Sequence, residues 1–130
     1  MKIGKATDGL VGNEKNRKPR YYVVVWTDGE YVAIAKVYST NPNDKKQAEK
    51  IEKKLRKMIS NFGSNSAVDK RLYTTKKNGA LIKHSDLDYE TRKFMFDESQ
   101  SGSIYKFILD DPNNKKALEK LVEKINSLKK

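Results

Sequence analysis

Two rows of lysines recur at four-residue spacing in segments that predict helices. The first lysine ridge comprises Lys46, Lys50 and Lys54, and the second lysine ridge comprises Lys116, Lys120 and Lys124. Side chains four residues apart are neighbours on a helix, so each ridge sets like charges side by side at a cost of roughly a few tenths of a kcal/mol per pair. A phosphate backbone would relieve that repulsion. The spacing therefore indicates phosphate binding, with a solvated helix face as the alternative interpretation.

The two ridges lie in segments that begin in the same way. Asn41 and Asp111 are good N-caps, and each precedes a proline, Pro42 or Pro112, that suits the first helical turn. Apolar residues then follow at matching offsets from the two prolines. They are Ala48, Ile51, Leu55 and Met58 in the first segment and Leu118, Leu121, Ile125 and Leu128 in the second. This spacing predicts two amphipathic helices, each with one buried face.

The remaining apolar segments predict strands arranged as hairpins. "RYYVVVWT" and "EYVAIAKVY" flank a two-residue turn at Asp28 and Gly29, and "KRLYTTKK" and "ALIKHS" flank another at Asn78 and Gly79. "RKFMFDE" and "SIYKFILD" predict a further hairpin before the second helix. The chain is thus expected to be an α+β protein, in which an antiparallel sheet of hairpins carries two amphipathic helices.

Length and charge indicate a single basic domain spanning residues 1–130. Duplication of one strand–turn–strand–helix unit, as 20–62 and 91–130, would explain the repeated helix opening, and convergence is the alternative. The 28 Lys and Arg residues outnumber 17 Asp and Glu, for a formal net charge of +11. Such a surplus favours a polyanionic partner. Without cysteine, a signal-like segment or a long apolar run, the sequence predicts a soluble, cytoplasmic protein with no membrane segment.

Aromatic residues on the predicted strands offer a second way to hold nucleic acid. Strict alternation would put Tyr22 and Trp26 on one face of the first strand, with Arg20 at its start. If the two helices cover only the other face, these rings are open to stack on unpaired bases beside cations. Ordinary core packing is the alternative. With Arg17 and Lys18 in the preceding loop, these residues and the two ridges form the predicted nucleic-acid site.

The predicted pair of sheet-and-helix units resembles a known architecture. Strand-rich repeats that end in a helix are similar to those of PUR-type and Whirly-type single-stranded nucleic-acid binders, and "KRLYTTKKNGALIK" is similar to a PUR hairpin. The resemblance concerns architecture, so no residue roles follow from it. It implies binding of single-stranded DNA or RNA without catalysis.

A shorter segment resembles an enzyme family. "VGNEKNRKPRYYVVV" and "VAIAKVYST", within residues 12–40, are similar to the opening of MazF/PemK-type toxins, with Gly12 and Glu14 matching a G-x-E loop. Lys18 stands where that family has arginine, and a long basic helix is expected after Thr40 where the family has a short strand. The resemblance implies an SH3-like barrel and a metal-independent endoribonuclease, dimeric and neutralised by an antitoxin. Its catalytic candidates here would be Arg17, Lys18, Arg20, Ser39 and Thr40.

Other motifs point to no chemistry. His84, the one histidine, is followed by Ser85 and Asp86, but adjacency in sequence does not make a catalytic triad. With one histidine and no cysteine, a zinc site lacks ligands, and we expect neither metal nor cofactor. The leading prediction is a nucleic-acid-binding protein. The endoribonuclease and a module for an acidic protein partner are the alternatives, while homodimerisation and the choice of DNA or RNA are left open.

Overall fold

The computed structural model describes residues 3–6, 10–11, 20–39, 43–53, 56–59, 66–89 and 98–129. The strands in this part of the chain are Ile3–Ala6 (β1), Arg20–Thr27 (β2), Val32–Ser39 (β3), Arg56–Ile59 (β4), Ser66–Tyr73 (β5) and Asp88–Tyr89 (β6). The helices are Lys45–Glu52 (α1), Glu98–Leu109 (α2) and Pro112–Leu128 (α3), and His84–Asp86 forms a 3₁₀ turn. The predicted α+β class is confirmed. No helix within the described residues is long and apolar enough to cross a membrane.

One antiparallel sheet, in the order β4-β5-β3-β2-β1-β6, organises the molecule. Its centre is the predicted β2–β3 hairpin, whose β-branched and aromatic residues favour strands. The connecting loop is longer than predicted, because Thr27 pairs with Val32 and four residues lie between them. Gly29 adopts a φ of 102° in this loop, as a turn glycine should. A turn also forms at the second predicted position, with Gly79 at a φ of 88°, but its loop has three residues, since Lys76 N–H donates to the Ala80 carbonyl oxygen.

An irregularity in β2 changes which face its tryptophan occupies. The β2–β3 register shifts between Val24 and Trp26, the signature of a β-bulge. As a result Trp26 packs with Val25 against the core under the helices, while Tyr22 and Val24 lie in the core on the opposite face. The expectation that Tyr22 and Trp26 share one face is therefore wrong, since strict alternation holds only for an unbroken ladder.

Both faces of the sheet are covered near its centre. The helix-side core comprises Val23, Val25, Ala33, Ala35, Val37, Val68, Leu72, Leu81, Ile104, Ile108, Leu121 and Ile125. The second core comprises Val11, Tyr22, Val24, Val32, Ile34, Ile82 and Leu87. Residues 10–11 and the segment 81–87 thus cover the face that we expected to be open. Burying the apolar side chains of β2 and β3 on both faces stabilises the sheet more than an exposed aromatic platform would.

The first predicted helix is shorter than expected. It ends at Glu52, and the residues from Arg56 to Ile59 form β4 instead. Ala48 is exposed and Met58 lies in that strand, so the predicted apolar face of the first helix is wrong. Leu55 lies outside the described residues. Antiparallel pairing with β5 satisfies the backbone of β4, and this tertiary contact overrides local helix preference.

The hairpin predicted from "RKFMFDE" and "SIYKFILD", over residues 92–110, is wrong in its second half, because Glu98–Leu109 is α2. Its aromatic and β-branched residues suggested a strand, but Ile104 and Ile108 are spaced four apart and both are fully buried. A helix can bury both against the sheet on one face. The element before α3 thus differs from the hairpin before α1. The proposed duplication of 20–62 and 91–130 stays a prediction.

The C-terminal helix α3 begins as predicted. The Asp111 carboxylate accepts a hydrogen bond from the Asn113 backbone N–H at 2.9 Å, and Pro112 occupies the first turn. Leu121 and Ile125 are buried in the helix-side core, as their spacing predicted. Leu128 is 60% exposed, so the buried face ends before the last turn.

Candidate nucleic-acid interface

The second lysine ridge lines a groove between α3 and the hairpin that follows β5. The groove has a volume of about 370 Å³. Its lining residues are Thr74, Thr75, Leu81, Asn113, Lys116, Ala117, Lys120, Leu121 and Lys124. We call it the lysine groove. The three lysines meet there because residues four apart on α3 share one face.

Within the described part of the chain, no carboxylate neutralises the charge of the lysine groove. The described residues that line it include no carboxylate. Lys116, Lys120 and Lys124 are exposed, and none forms an ion pair with another described residue. Lysines elsewhere do find partners, since Lys129 lies 3.3 Å from the Asp28 carboxylate. The groove thus combines three unscreened ammonium groups with the hydroxyls of two threonines, a donor set that suits phosphate oxygens.

On helix α3 the three ridge lysines line one groove, and two glutamates with Lys115 line another. Glu119 and Glu123 line a different groove, about 520 Å³ in volume, in which Trp26 and Tyr105 supply aromatic surface. Each glutamate lies three residues after a ridge lysine, a spacing that permits an ion pair on a helix. No such pair forms. A helix face that only kept the protein in solution would gain from pairing these glutamates with the ridge lysines, so the unpaired arrangement favours an external anion.

Asn114 holds α3 in place beside β5, and the sequence interpretation missed it. Its side-chain Oδ1 accepts a hydrogen bond from Leu72 N–H at 3.2 Å. Its Nδ2 donates to the carbonyl oxygens of Lys70 at 2.7 Å and Ile108 at 2.8 Å. One buried amide therefore joins α3, β5 and the end of α2. Sequence offers no signal that separates Asn114 from Asn113, because only the fold shows which of the two adjacent asparagines is buried.

The first lysine ridge does not share these surroundings. Lys46 and Lys50 are exposed on α1, whereas Lys54 lies outside the described residues. Helix α1 packs against β4 at one edge of the sheet, while α3 packs against α2 and β5. The two ridges therefore have different neighbours, and the lysine groove is formed by the second ridge alone.

The predicted aromatic residues lie away from the lysine groove. Tyr22 is fully buried in the second core and presents no ring face to solvent. Trp26 is half-buried against the helix-side core and lines the groove that contains Glu119. Neither ring stands beside the ridge lysines, so the two predicted halves of the site are not brought together.

Most of the loop that precedes β2 lies outside the described residues. This holds for Gly12, Glu14, Arg17 and Lys18. Thr40 also lies outside them. Arg20 and Ser39 are described only as backbone positions, at the start of β2 and the end of β3.

His84, Ser85 and Asp86 form a 3₁₀ turn in which the polar side chains have structural partners. His84 Nε2 lies 2.7 Å from Thr27 Oγ1, which ties the turn to the end of β2. The Asp86 carboxylate accepts from the backbone N–H of Lys83 at 2.9 Å and lies 3.3 Å from Lys76 Nζ. The carboxylate that a triad would need is therefore used elsewhere. Within the described residues, no group of three or more His, Cys, Asp or Glu side chains is placed to hold a metal ion.

Comparison of the chain with known protein families, with curated proteins and with solved structures found no match. The resemblances to MazF/PemK-type toxins and to PUR-type and Whirly-type proteins accordingly stay expectations from sequence. The lysine groove is therefore the feature from which a function can be inferred.

Proposed function

We propose that this protein binds nucleic acid, single-stranded DNA or RNA, chiefly by binding the backbone phosphates in the lysine groove. The observation that carries the proposal is the row of three exposed lysines in one groove, none of which has a carboxylate partner among the described residues. Neutralising such a row with phosphates releases counterions from the nucleic acid, which is the main source of sequence-independent affinity.

The dimensions of the ridge suit a short stretch of backbone. Lys116 and Lys124 are eight residues apart, so at about 1.5 Å per residue they span about 12 Å along α3. That length corresponds to three or four nucleotides of a stacked strand at about 3.4 Å each. One phosphate per lysine is therefore a reasonable occupancy. Thr74 and Thr75 on the opposite wall would add hydroxyl donors to the same phosphates.

The protein's overall charge supports the same ligand class. A formal net charge of +11 attracts any polyanion and accelerates its encounter with the groove. Lysines make point-charge contacts without the planar geometry that reads base edges. The proposal is therefore binding with little sequence preference, and no catalytic step is assigned to the protein.

The test compares two variants of equal charge for binding to a fluorescein-labelled 20-nucleotide oligouridylate, followed by fluorescence anisotropy. The groove variant carries Lys116→Gln, Lys120→Gln and Lys124→Gln. The control variant carries Lys45→Gln, Lys106→Gln and Lys115→Gln, three exposed lysines that do not line the groove. Each variant removes three charges and lowers the formal net charge from +11 to +8.

We expect the groove variant to bind at least ten-fold more weakly than the control variant, because it loses three phosphate contacts rather than only long-range attraction. Equal weakening in the two variants would refute the groove as the site. No binding by the wild-type protein would refute the function. Cleavage of the RNA in the absence of metal would instead support the MazF/PemK-like endoribonuclease, and binding only to acidic proteins would support an interaction module.

A further inference from the structure

Two arginine–tyrosine pairs lie on the sheet face opposite α2 and α3. The guanidinium carbon of Arg56 is 4.1 Å from the ring centroid of Tyr38, and that of Arg71 is 4.8 Å from the ring centroid of Tyr73. Along β5 successive side chains alternate between faces, and Leu72 belongs to the helix-side core. Its neighbours Arg71 and Tyr73 therefore point to the other side.

The strand pairing of β4, β5 and β3 gathers these residues. Arg56 pairs with Asp69, and Tyr73 pairs with Ile34 on β3. The β3–β5 register shifts between Ala35 and Val37, so β5 has additional residues beside this part of β3. The shift leaves Asp69 to Arg71 without direct partners on β3. We call Lys36, Tyr38, Arg56, Arg71 and Tyr73 the arginine–tyrosine cluster.

Counted over the residues that the structure describes, the cluster has more cations than anions. Lys36 is only 8% exposed, and its ammonium lies 5.3 Å from the Tyr73 ring centroid. Asp69 is the carboxylate that the described residues place near it, 3.9 Å from the Arg56 side chain. Burial raises the pKa of the Tyr38 hydroxyl above its ordinary 10.0, against the opposing effect of the Lys36 charge. Tyr38 thus stays neutral and does not balance the cations.

The cluster and the lysine groove are joined along β5. A third groove, of about 420 Å³, shares Asn113 and Ala117 with the lysine groove and is also lined by Lys70 and Arg71. In sequence, Tyr73 is followed directly by the two threonines that line the lysine groove. A flexible chain leaving the ridge can therefore reach Arg71 along this groove, where Lys70 and Arg71 stand beside Asp69 and Asp111.

We propose that the Arg71–Tyr73 pair is a base-binding site, which makes the protein selective for single strands over duplex. When the phosphates of a nucleic acid lie in the lysine groove, an unpaired base would stack on one side of the Arg71 guanidinium. The Tyr73 ring contacts the other side of that guanidinium. This inference rests on the proposed function and adds the recognition of bases to it. Planar guanidinium groups and aromatic rings are the surfaces on which proteins stack unpaired bases. Bases in a duplex are already stacked, so they would gain nothing from the pair.

The test uses Arg71→Lys, which keeps the charge but removes the planar group. Because Arg71 is exposed and forms no ion pair with a described residue, this variant should fold normally. Lys77→Arg, at an exposed hairpin position, is the matched control for a conservative change of a basic residue. Three labelled ligands are compared: a 20-nucleotide single strand, the same sequence as a duplex, and an abasic oligomer with the same number of phosphates.

We expect Arg71→Lys to bind the single strand about 5- to 150-fold more weakly, the range for losing one stacked base. Its binding to the duplex and the abasic oligomer should match the wild type, and Lys77→Arg should change none of the three. If Arg71→Lys binds the single strand like the wild type, the inference is wrong while nucleic-acid binding stands. If it weakens all three ligands equally, Arg71 is only a phosphate contact and the base site is refuted. Tyr73→Leu, with its fold checked by circular dichroism, should reproduce the selective loss.

Discussion

Replacing Asn114 with alanine should loosen α3 from the sheet and so test how the lysine groove is positioned. The substitution removes three hydrogen bonds, one from Leu72 N–H and two to the carbonyls of Lys70 and Ile108. Asn114 is only 7% exposed, so water replaces those bonds poorly. At about 0.5–1.5 kcal/mol per bond, the free energy of unfolding should fall by about 2–4 kcal/mol. For a chain of this size, the midpoint of thermal unfolding should fall by about 8–16 °C.

Urea unfolding followed by the fluorescence of Trp26 measures this loss. Asn113→Ala is the matched control, because Asn113 is an exposed neighbour of the same type whose side chain makes no hydrogen bond to a described residue. Its effect should stay within about 0.5 kcal/mol. If the two variants have the same stability, Asn114 does not fix α3 and the account of how the groove is positioned is wrong.

Three further predictions concern stability. Burial acts to raise the pKa of Asp28, but hydrogen bonds from two backbone N–H groups and the nearby Lys129 ammonium outweigh it and lower the pKa overall. The stability that Asp28 contributes is thus present above the unfolded pKa of about 3.9 and is lost as the pH falls through the folded pKa. Asp28→Asn should therefore weaken the pH dependence of the free energy of unfolding, measured in urea, between about pH 5 and 2. An unchanged pH dependence in this range would contradict the prediction. Ile108→Ala should lower the free energy of unfolding in urea by about 2–5 kcal/mol, because Ile108 is fully buried. Leu128→Ala, at an exposed position, should lower it by less than about 0.5 kcal/mol. Equal losses in the two variants would argue against α2 as a helix packed in the core. Gly79→Ala should lower the free energy of unfolding by about 1 kcal/mol, because Gly79 has a positive φ. Gly102→Ala, inside α2, should raise it by about 0.5–1 kcal/mol. Thermal melts measure both changes, and the opposite signs would refute the assigned backbone conformations.

The features that could be predicted from sequence depend on local chemistry. The cap at Asp111, the proline that follows it and the spacing of Leu121 and Ile125 predict α3 and its buried face without knowledge of the fold. The positive-φ turn at Gly79 is local in the same way. The second lysine ridge could be predicted for the same reason, because four-residue spacing on a correctly predicted helix puts its side chains on one face.

The features that were missed depend on contacts between distant segments. Whether Arg56–Ile59 continues a helix or forms β4 is decided by the backbone of β5, which begins at Ser66. The face of Trp26 is decided by a bulge in the β2–β3 ladder. Ile104 and Ile108 suit a strand by residue type, and only packing against the sheet selects the helix.

The candidate site likewise combines features that the sequence could predict with features that depend on contacts between distant segments. The ridge was visible in the sequence, whereas the threonines opposite it and the Arg71–Tyr73 pair are set by the course of β5 and its neighbours. Tyr22 was chosen because an aromatic residue on a strand can stack on bases, but it completes the second core instead. Aromatic residues in a chain with few apolar residues are needed first for packing, and only those beside unbalanced cations are candidates for ligand contact.

The salt dependence of binding tests the central claim most directly. Anisotropy titrations of the oligouridylate at several salt concentrations give the slope of log K against log salt, which is about −0.7 per phosphate contacted on a single strand. With one phosphate on each of Lys116, Lys120 and Lys124, the groove variant should have a slope less steep than the wild type by about 2. The control variant should keep the wild-type slope. Parallel slopes for all three proteins would mean that the ridge contacts no phosphates, and would contradict the account.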